Sequence, residues 1–200
     1  IYTVKEVQAP ANYGLNPTVF TADIEFAGQG VKLNVTDPVI TAGVSIKKTG
    51  YAQTMNNNVM RWTVSGVRND STTSLQSFYW RDTLPTDAVR LTRLVTGTYS
   101  TTQTYKVTFT TNLNSQWRTA YDNLSTAKNY TLDMSSAALG LASNEYVTQF
   151  MLSFGIVPAG FHQLTNATVD AQTLYALTNG YKFTNKACLL YTSPSPRDCS

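Results

Sequence analysis

Three short segments of this chain alternate apolar and polar residues with a period of two, yet each places one polar side chain on the apolar parity. Successive side chains of a β-strand point to opposite faces, so residues of one parity share a face. The alternation predicts strands that bury a core, and it also directs three polar groups into that core. They are the amine of Lys48 in residues 44–48, the carboxyl group of Asp82 in residues 78–84 and the carboxamide of Asn185 in residues 181–185.

The composition favours strands and argues against two kinds of partner. Aromatic residues make up 12% of the chain, Tyr is the commonest of them, and charged residues make up only 14%; aromatic residues are enriched in strands. The net charge of +3 comes from scattered Lys and Arg, whereas nucleic-acid binding requires a clustered basic face. No apolar run approaches the roughly 20 residues that span a bilayer. We therefore expect neither nucleic acid as a partner nor membrane insertion in this segment.

Turn signals divide the chain into two β domains. Residues 1–37 predict three strands, at residues 2–7, 18–26 and 31–35. Three strands cannot bury both faces, so we expect the C-terminal part of a sandwich whose first strands lie upstream. Residues 38–43 are predicted to be a linker, and residues 44–187 a second, larger β-sandwich. Its predicted strands cover residues 44–48, 60–68, 77–82, 88–97, 104–111, 146–157 and 180–185. Two short helical insertions are predicted within it, at residues 135–142, which are rich in Ala and Leu, and at residues 114–124.

The character of the chain changes after Ala187. Residues 188–200 read like the in-frame translation of a sequencing adapter, and they contain both cysteines, Cys188 and Cys199. We expect this segment to be an assembly artefact that should be left out of reasoning about the fold. The natural chain would then lack cysteine, so a disulfide could not stabilise it.

An amine, an acid and an amide that meet in a core can react with one another. Burial disfavours the charged forms of lysine and of a carboxylic acid, so Lys48 can attack the carboxamide of Asn185 while Asp82 polarises its carbonyl. The products are an isopeptide bond and ammonia, and neither a cofactor nor a metal is required. Lys47 is a weaker candidate because its parity is outward. The alternative is a buried ion pair of Lys48 and Asp82 with Asn185 bonded to the backbone, which predicts the same alternation.

The N-terminal domain carries a recognisable motif. Alternation turns Glu6 and Asp37 inward, and the run EVQAPANY, which begins at Glu6, resembles the E-x-x-A-P-x-G-Y signature of Cna-B-type, prealbumin-like domains of Gram-positive pilins and adhesins. Asn12 stands where that signature has Gly. The resemblance implies that Glu6 catalyses an isopeptide bond, that Asp37 is the acyl partner, and that the lysine lies upstream of this chain.

The second domain resembles isopeptide-forming, immunoglobulin-like sandwich repeats of fimbrial subunits. The resemblance rests on Lys48, on the D-x-L-P element that begins at Asp82 and on the F-x-N element that ends at Asn185. It implies that Lys48 is the nucleophile, Asp82 the catalytic acid and Asn185 the electrophile. Together the two resemblances imply a stalk or backbone segment of a sortase-anchored surface protein in a Gram-positive cell wall, with neighbouring domains of the same protein as partners.

Two other functions compete with the stalk. The second domain could be an adhesin that binds a glycan or a host matrix protein through residues 112–144, where Trp117 is the aromatic residue to test. Trp62 and Trp80 fall in predicted strands and are expected in the core. An enzyme acting on external substrates is disfavoured because no paired carboxylates and no Ser-His-Asp set have suitable spacing. The only histidine, His162, has no Cys or carboxylate cluster beside it, so no metal site is expected.

Overall fold

All regular structure in the described part of the chain is β-strand. The structure, a computed structural model, describes residues 2–8, 13, 16, 18–23, 30, 32–37, 43–52, 59–174 and 181–192. The prediction of a mainly β chain is confirmed for these residues. In chain order the strands are β1 (Tyr2–Lys5), β2 (Val19–Ala22), β3 (Val44–Ala52), β4 (Val59–Asn69), β5 (Leu75–Thr83), β6 (Val89–Val95), β7 (Thr98–Tyr99), β8 (Thr104–Thr111), β9 (Arg118–Ser125), β10 (Thr131–Asp133), β11 (Val147–Val157), β12 (Gln163–Thr165), β13 (Ala167–Thr173) and β14 (Lys186–Thr192).

Two five-stranded antiparallel sheets form a β-sandwich. The β3 sheet has the strand order β10-β6-β13-β4-β3, and the β14 sheet has the order β14-β5-β11-β8-β9. The first and last strands of the sandwich, β3 and β14, are therefore both edge strands. They also approach each other across the gap between the sheets. The pairs β1-β2 and β7-β12 form two further small sheets.

Aromatic side chains fill much of the space between the two sheets. Trp62 and Trp80 are 7% and 0% exposed, so the prediction that both belong to the core is confirmed. The ring of Tyr99 meets those of Phe154 and Phe161 with centroids 4.6 Å and 5.6 Å away. Its hydroxyl also accepts a hydrogen bond of 3.2 Å from Nε1 of Trp80, as a buried indole requires.

The prediction of a helix at residues 135–142 is wrong. The chain there makes a single turn, and this turn is capped at both ends. The Oγ of Ser135 accepts a hydrogen bond of 3.3 Å from the backbone amide three residues later, as an N-cap does. Gly140 then adopts a φ of 65°, and the amide of Leu141 returns to the carbonyl of Ser136 at 2.9 Å. These two features form a Schellman motif, which ends the helical conformation after its first turn.

The prediction of a helix at residues 114–124 is also wrong, because most of this segment belongs to the edge strand β9. Register irregularities in the pairing of β9 with β8 and a positive φ of 54° at Asn123 interrupt its alternation. Trp117 and Tyr121, four residues apart, therefore resembled a helical face. Within the described residues, no helix is long and apolar enough to cross a membrane.

Two predicted strands, one near each end of the chain, are not observed where they were predicted. The strand predicted at residues 180–185 begins later, since residues 181–185 are irregular and β14 starts at Lys186. Asn185 therefore lies immediately before the strand. The strand predicted at residues 31–35 is not formed at residues 32–35. β14 extends to Thr192 and therefore includes part of residues 188–200, which we interpret as translated adapter. That interpretation stays a prediction.

Candidate functional site at the sandwich edge

Lys48 enters the interior from the edge strand β3. It pairs in register with Val64 of β4, and the neighbouring Lys47 is exposed, so the predicted parity is confirmed. The Lys48 side chain is only 10% exposed. Its Nζ lies 5.6 Å from the centroid of the Trp62 ring, so an aromatic surface replaces part of the water that would surround a free amine.

Trp62 can cover Lys48 because Gly50 leaves room for the indole. Gly50 is the register partner of Trp62, and a Cβ added to it would lie 2.4 Å from Cδ1 of that ring. Side chains do not pack at such a distance. Gly50 therefore belongs to the site, although nothing in the sequence indicated it, because the predicted strand ends at Lys48 whereas β3 continues to Ala52.

Asp82 lies on the inward face of β5 and is completely buried. Its Oδ2 accepts a hydrogen bond from Nζ of Lys48, so the structure brings the predicted nucleophile and acid into direct contact. Burial raises the pKa of Asp82 above 3.8, although Lys48 opposes that shift. Burial likewise lowers the pKa of Lys48 below 10.5, although Asp82 opposes it. Both shifts favour an uncharged amine beside an uncharged acid.

Asn185 brings its carboxamide to the same acid. Ala187 is the register partner of Asp82, and Asn185, two residues earlier, shares its parity. The amide lies close enough to Asp82 to lower the pKa of that acid, against the larger effect of burial. Yet Nδ2 and Oδ1 of Asn185, and Oδ1 of Asp82, are buried with no hydrogen-bond partner in the described part of the chain. Each unpaired buried group costs about 1–3 kcal/mol.

One cavity, of about 550 Å³, is lined by both Lys48 and Asn185. Trp62 and Phe183 form part of its wall, and their rings meet edge to face with centroids 6.3 Å apart. The cavity therefore places a desolvated amine and an amide carbonyl in a shared, partly aromatic space. A neutral amine that shares a cavity with an amide is placed on the side from which intramolecular attack would come.

The structure also brings together the two N-terminal acids. Partial burial and the neighbouring Glu6 carboxyl group raise the pKa of Asp37 above its ordinary value. Asn16 ties the two segments together, because its amide donates to Oε2 of Glu6 at 2.6 Å and its Nδ2 donates to the carbonyl of Thr36 at 2.9 Å. Oδ1 of Asp37 is buried and lacks a hydrogen-bond partner among the described residues. This pair thus repeats the acid and acyl groups of the Asp82 site.

His162 lies apart from both acid sites. It is exposed, its Nδ1 is 2.8 Å from the carbonyl of Gly160, and its backbone bridges to Arg68. Within the described residues, no group of three or more His, Cys, Asp or Glu side chains is placed to hold a metal ion.

Comparison with known proteins gave no match to a family model, to a curated protein or to a solved structure. A fold by itself does not specify a function. The function of this chain must therefore be inferred from the chemistry of its sites.

Proposed function

We propose that this chain is a structural stalk segment whose larger sandwich is crosslinked by an isopeptide bond between Lys48 and Asn185. The supporting observation is that the buried contact of Lys48 with Asp82 lies beside an amide whose polar atoms have no hydrogen-bond partner among the described residues. A purely structural polar network would be expected to satisfy that amide. An amide kept available for attack accounts for the same arrangement.

The reaction needs only these three side chains. The uncharged Nζ of Lys48 attacks Cγ of Asn185, and the protonated Asp82 donates to the carbonyl oxygen as negative charge develops there. One proton of the attacking amine passes through Asp82 to Nδ2, and the C–N bond to Nδ2 breaks. One C–N bond is formed and one is broken, ammonia leaves, and Asp82 is regenerated. No oxidant, metal or external substrate takes part.

The location of the bond suits a load-bearing role. Lys48 lies on β3 and Asn185 directly precedes β14, so the bond would join the edges of the two sheets and the first strand to the last. In the chain-entropy model, a crosslink that closes a loop of this length stabilises a fold by roughly 5 kcal/mol. Tension applied at the two ends would pass through the covalent bond instead of through β-sheet hydrogen bonds.

The N-terminal acids support the same reading for the preceding domain. The contact of Glu6 with Asp37 suits a Cna-B-type sandwich in which Glu6 catalyses a bond from an upstream lysine to Asp37, with loss of water. We infer a Cna-B-type module followed by an immunoglobulin-like module in a sortase-anchored protein of a Gram-positive cell wall. Its partners would be neighbouring domains of the same protein.

Intact mass of the full chain in denaturant tests the crosslink. The wild-type mass should fall short of the sequence mass by one ammonia, and tandem fragmentation should locate the branch at residues 48 and 185. Lys48→Ala, Asp82→Ala and Asn185→Ala should restore the sequence mass. The matched control Lys47→Ala removes an exposed amine from the adjacent position and should keep the deficit. A folded wild-type sample with an unshifted mass would rule out the crosslink.

A further inference from the structure

A second cavity lies on the outer face of the β14 sheet and shares no lining residue with the crosslinking site. We call it the outer groove. Its volume is about 590 Å³, which is within the range of ligand sites. The residues that matter below are Tyr79, Arg81, Lys106, Trp117, Asp122 and Ser153. None of the lining residues belongs to β14, although β14 pairs in register with Tyr79 and Arg81.

The register of three strands assembles the floor of the outer groove. Ser153 of β11 pairs with Tyr79 of β5 on one side and with Lys106 of β8 on the other. Arg81 is two residues from Tyr79 and therefore lies on the same outward face. Trp117, which is 39% exposed, stands just before β9 at the far side of the sheet. Two aromatic rings and two cations thus share one surface.

The backbone is unusual at this groove. Ser77 and Asn123, with φ values of 49° and 54°, are the only residues other than glycine with positive φ in the described part of the chain. Ser77 lines the groove, and Asn123 follows Asp122, which also lines it. Gly155, with a φ of 72°, lies at an irregularity in the pairing of β11 with β5. Strained residues and bulges often occur where a sheet shapes a ligand site.

The described lining of the outer groove carries two cations, Arg81 and Lys106, and one acid, Asp122. Nε of Arg81 is buried and has no hydrogen-bond partner in the described residues. In that part of the chain neither Arg81 nor Lys106 forms an ion pair, whereas other arginines do. The acid nearby, Asp122, accepts a hydrogen bond of 2.8 Å from the amide of Asn123. The groove therefore carries more positive than negative charge and would attract an anion.

We propose that the outer groove binds a carboxylate-bearing saccharide chain. The C–H faces of sugar rings pack on aromatic rings such as those of Trp117 and Tyr79. A guanidinium can bind a carboxylate through two parallel hydrogen bonds, so Arg81 supplies the specific contact and Lys106 adds attraction. Hydroxyl groups of the sugar would meet Ser153 and Asp122. The aromatic rings distinguish this occupant from a simple anion.

Titration of the full chain with hyaluronan oligosaccharides, in which every second sugar carries a carboxylate, tests this proposal. Calorimetry should detect binding, and neutral chitin oligosaccharides of equal length should bind at least about tenfold more weakly. Trp117→Ala and Lys106→Gln, both at exposed positions, should each weaken binding of hyaluronan by about tenfold. The matched controls Tyr2→Ala and Lys128→Gln remove an exposed aromatic residue and an exposed cation elsewhere and should bind like the wild type.

Three results would overturn the proposal. The first is no binding of hyaluronan by the folded wild type. The second is equal affinity for chitin oligosaccharides, which would mean that the cations do not select the ligand. The third is equal affinity for poly-glutamate with the same sensitivity to Trp117→Ala, which would indicate an acidic peptide instead. The crosslink-deficient Asn185→Ala should keep the affinity, so failure of the crosslink and failure of the groove are separable.

Discussion

Whether Lys48 and Asp82 carry charge decides what their contact can do. As ions they form a salt bridge, and a protonated amine has no lone pair with which to attack an amide. As neutral groups they are a nucleophile and a general acid. Burial lowers the pKa of Lys48 and raises that of Asp82, so transfer of the proton from amine to carboxylate is favoured by the same desolvation that makes a buried ion pair costly.

Bond formation should pass through a maximum with pH. As pH rises through the lowered pKa of Lys48, the amine loses its proton and the rate increases. As pH rises through the raised pKa of Asp82, the acid becomes ionised, cannot donate to the carbonyl of Asn185, and the rate decreases. Because these pKa values are displaced from 10.5 and 3.8 towards each other, both limbs should lie inside that interval.

The profile can be measured on chain that is isolated unfolded and uncrosslinked, then diluted from denaturant into buffers of different pH. Mass spectrometry at successive times follows the loss of ammonia. Lys47→Ala should reproduce the wild-type profile. A rate that keeps rising up to pH 10.5, the ordinary pKa of lysine, would mean that Lys48 reacts as a solvated amine and that Asp82 is not the acid.

The sequence predicted the orientation of these residues better than their contacts. Alternation alone indicated that Lys48 and Asp82 point inward and that Lys47 points outward, and the structure agrees. The unpaired amide of Asn185 could not be predicted, because it depends on residues 181–185, which are irregular and lead into β14. The cover provided by Trp62 depends on a register that no single segment specifies.

At the scale of elements, the alternation of apolar and polar residues predicted strands that have one buried and one exposed face. It did not predict a strand that is buried on both faces. The bounds of β8 were predicted as observed. The central strand β13 was missed because it is buried on both faces for much of its length and contains Asp170. That acid is paired in register with Arg61 and Arg93 on the two adjacent strands, and their guanidinium groups lower its pKa despite its burial. The arginines that compensate the charge of Asp170 belong to other strands, so the sequence of β13 alone does not indicate that a buried acid is tolerated there.

The pairing of β3 with β4 leads to a prediction at Gly50. Gly50→Ala places a methyl group where the Trp62 ring now lies, so the ring must leave the position in which it covers Lys48. Overpacking of this kind costs about 1–3 kcal/mol. The free energy of unfolding of an uncrosslinked Asn185→Ala background, measured in urea, should fall by that amount.

The same substitution in the otherwise wild-type chain should slow the bond. With the ring displaced, water reaches Lys48, its pKa returns towards 10.5, and less of the amine is neutral. The rate of ammonia loss on refolding at neutral pH should therefore decrease. Lys47→Ala, on the same strand with an exposed side chain, controls for effects on β3. If Gly50→Ala destabilises the protein but leaves the rate of ammonia loss unchanged, the Trp62 ring does not influence the reaction of Lys48.

At the scale of the whole molecule, the positions of the edge strands would give the proposed crosslink a mechanical role. A sandwich was predicted, but the sequence could not predict that its first and last strands occupy neighbouring edges, because strand order depends on contacts between distant segments. Edge strands are paired on one side only, and β3 and β14 are the strands to which force from the two ends is first applied. A bond between them protects the elements that would otherwise separate first.

Pulling on the two ends of the wild-type chain should therefore leave the segment between residues 48 and 185 unextended. A stretched chain gains about 3.3–3.6 Å per residue, so releasing that segment would add on the order of 450 Å of length. Single-molecule force spectroscopy should record this added length in Asn185→Ala, which cannot form the bond, and not in the wild type or in Lys47→Ala. If the wild type released the same length as Asn185→Ala, its sheets would be held by hydrogen bonds and packing alone. The contact of Lys48 with Asp82 would then be a buried polar pair, and the load-bearing role would be lost with the bond.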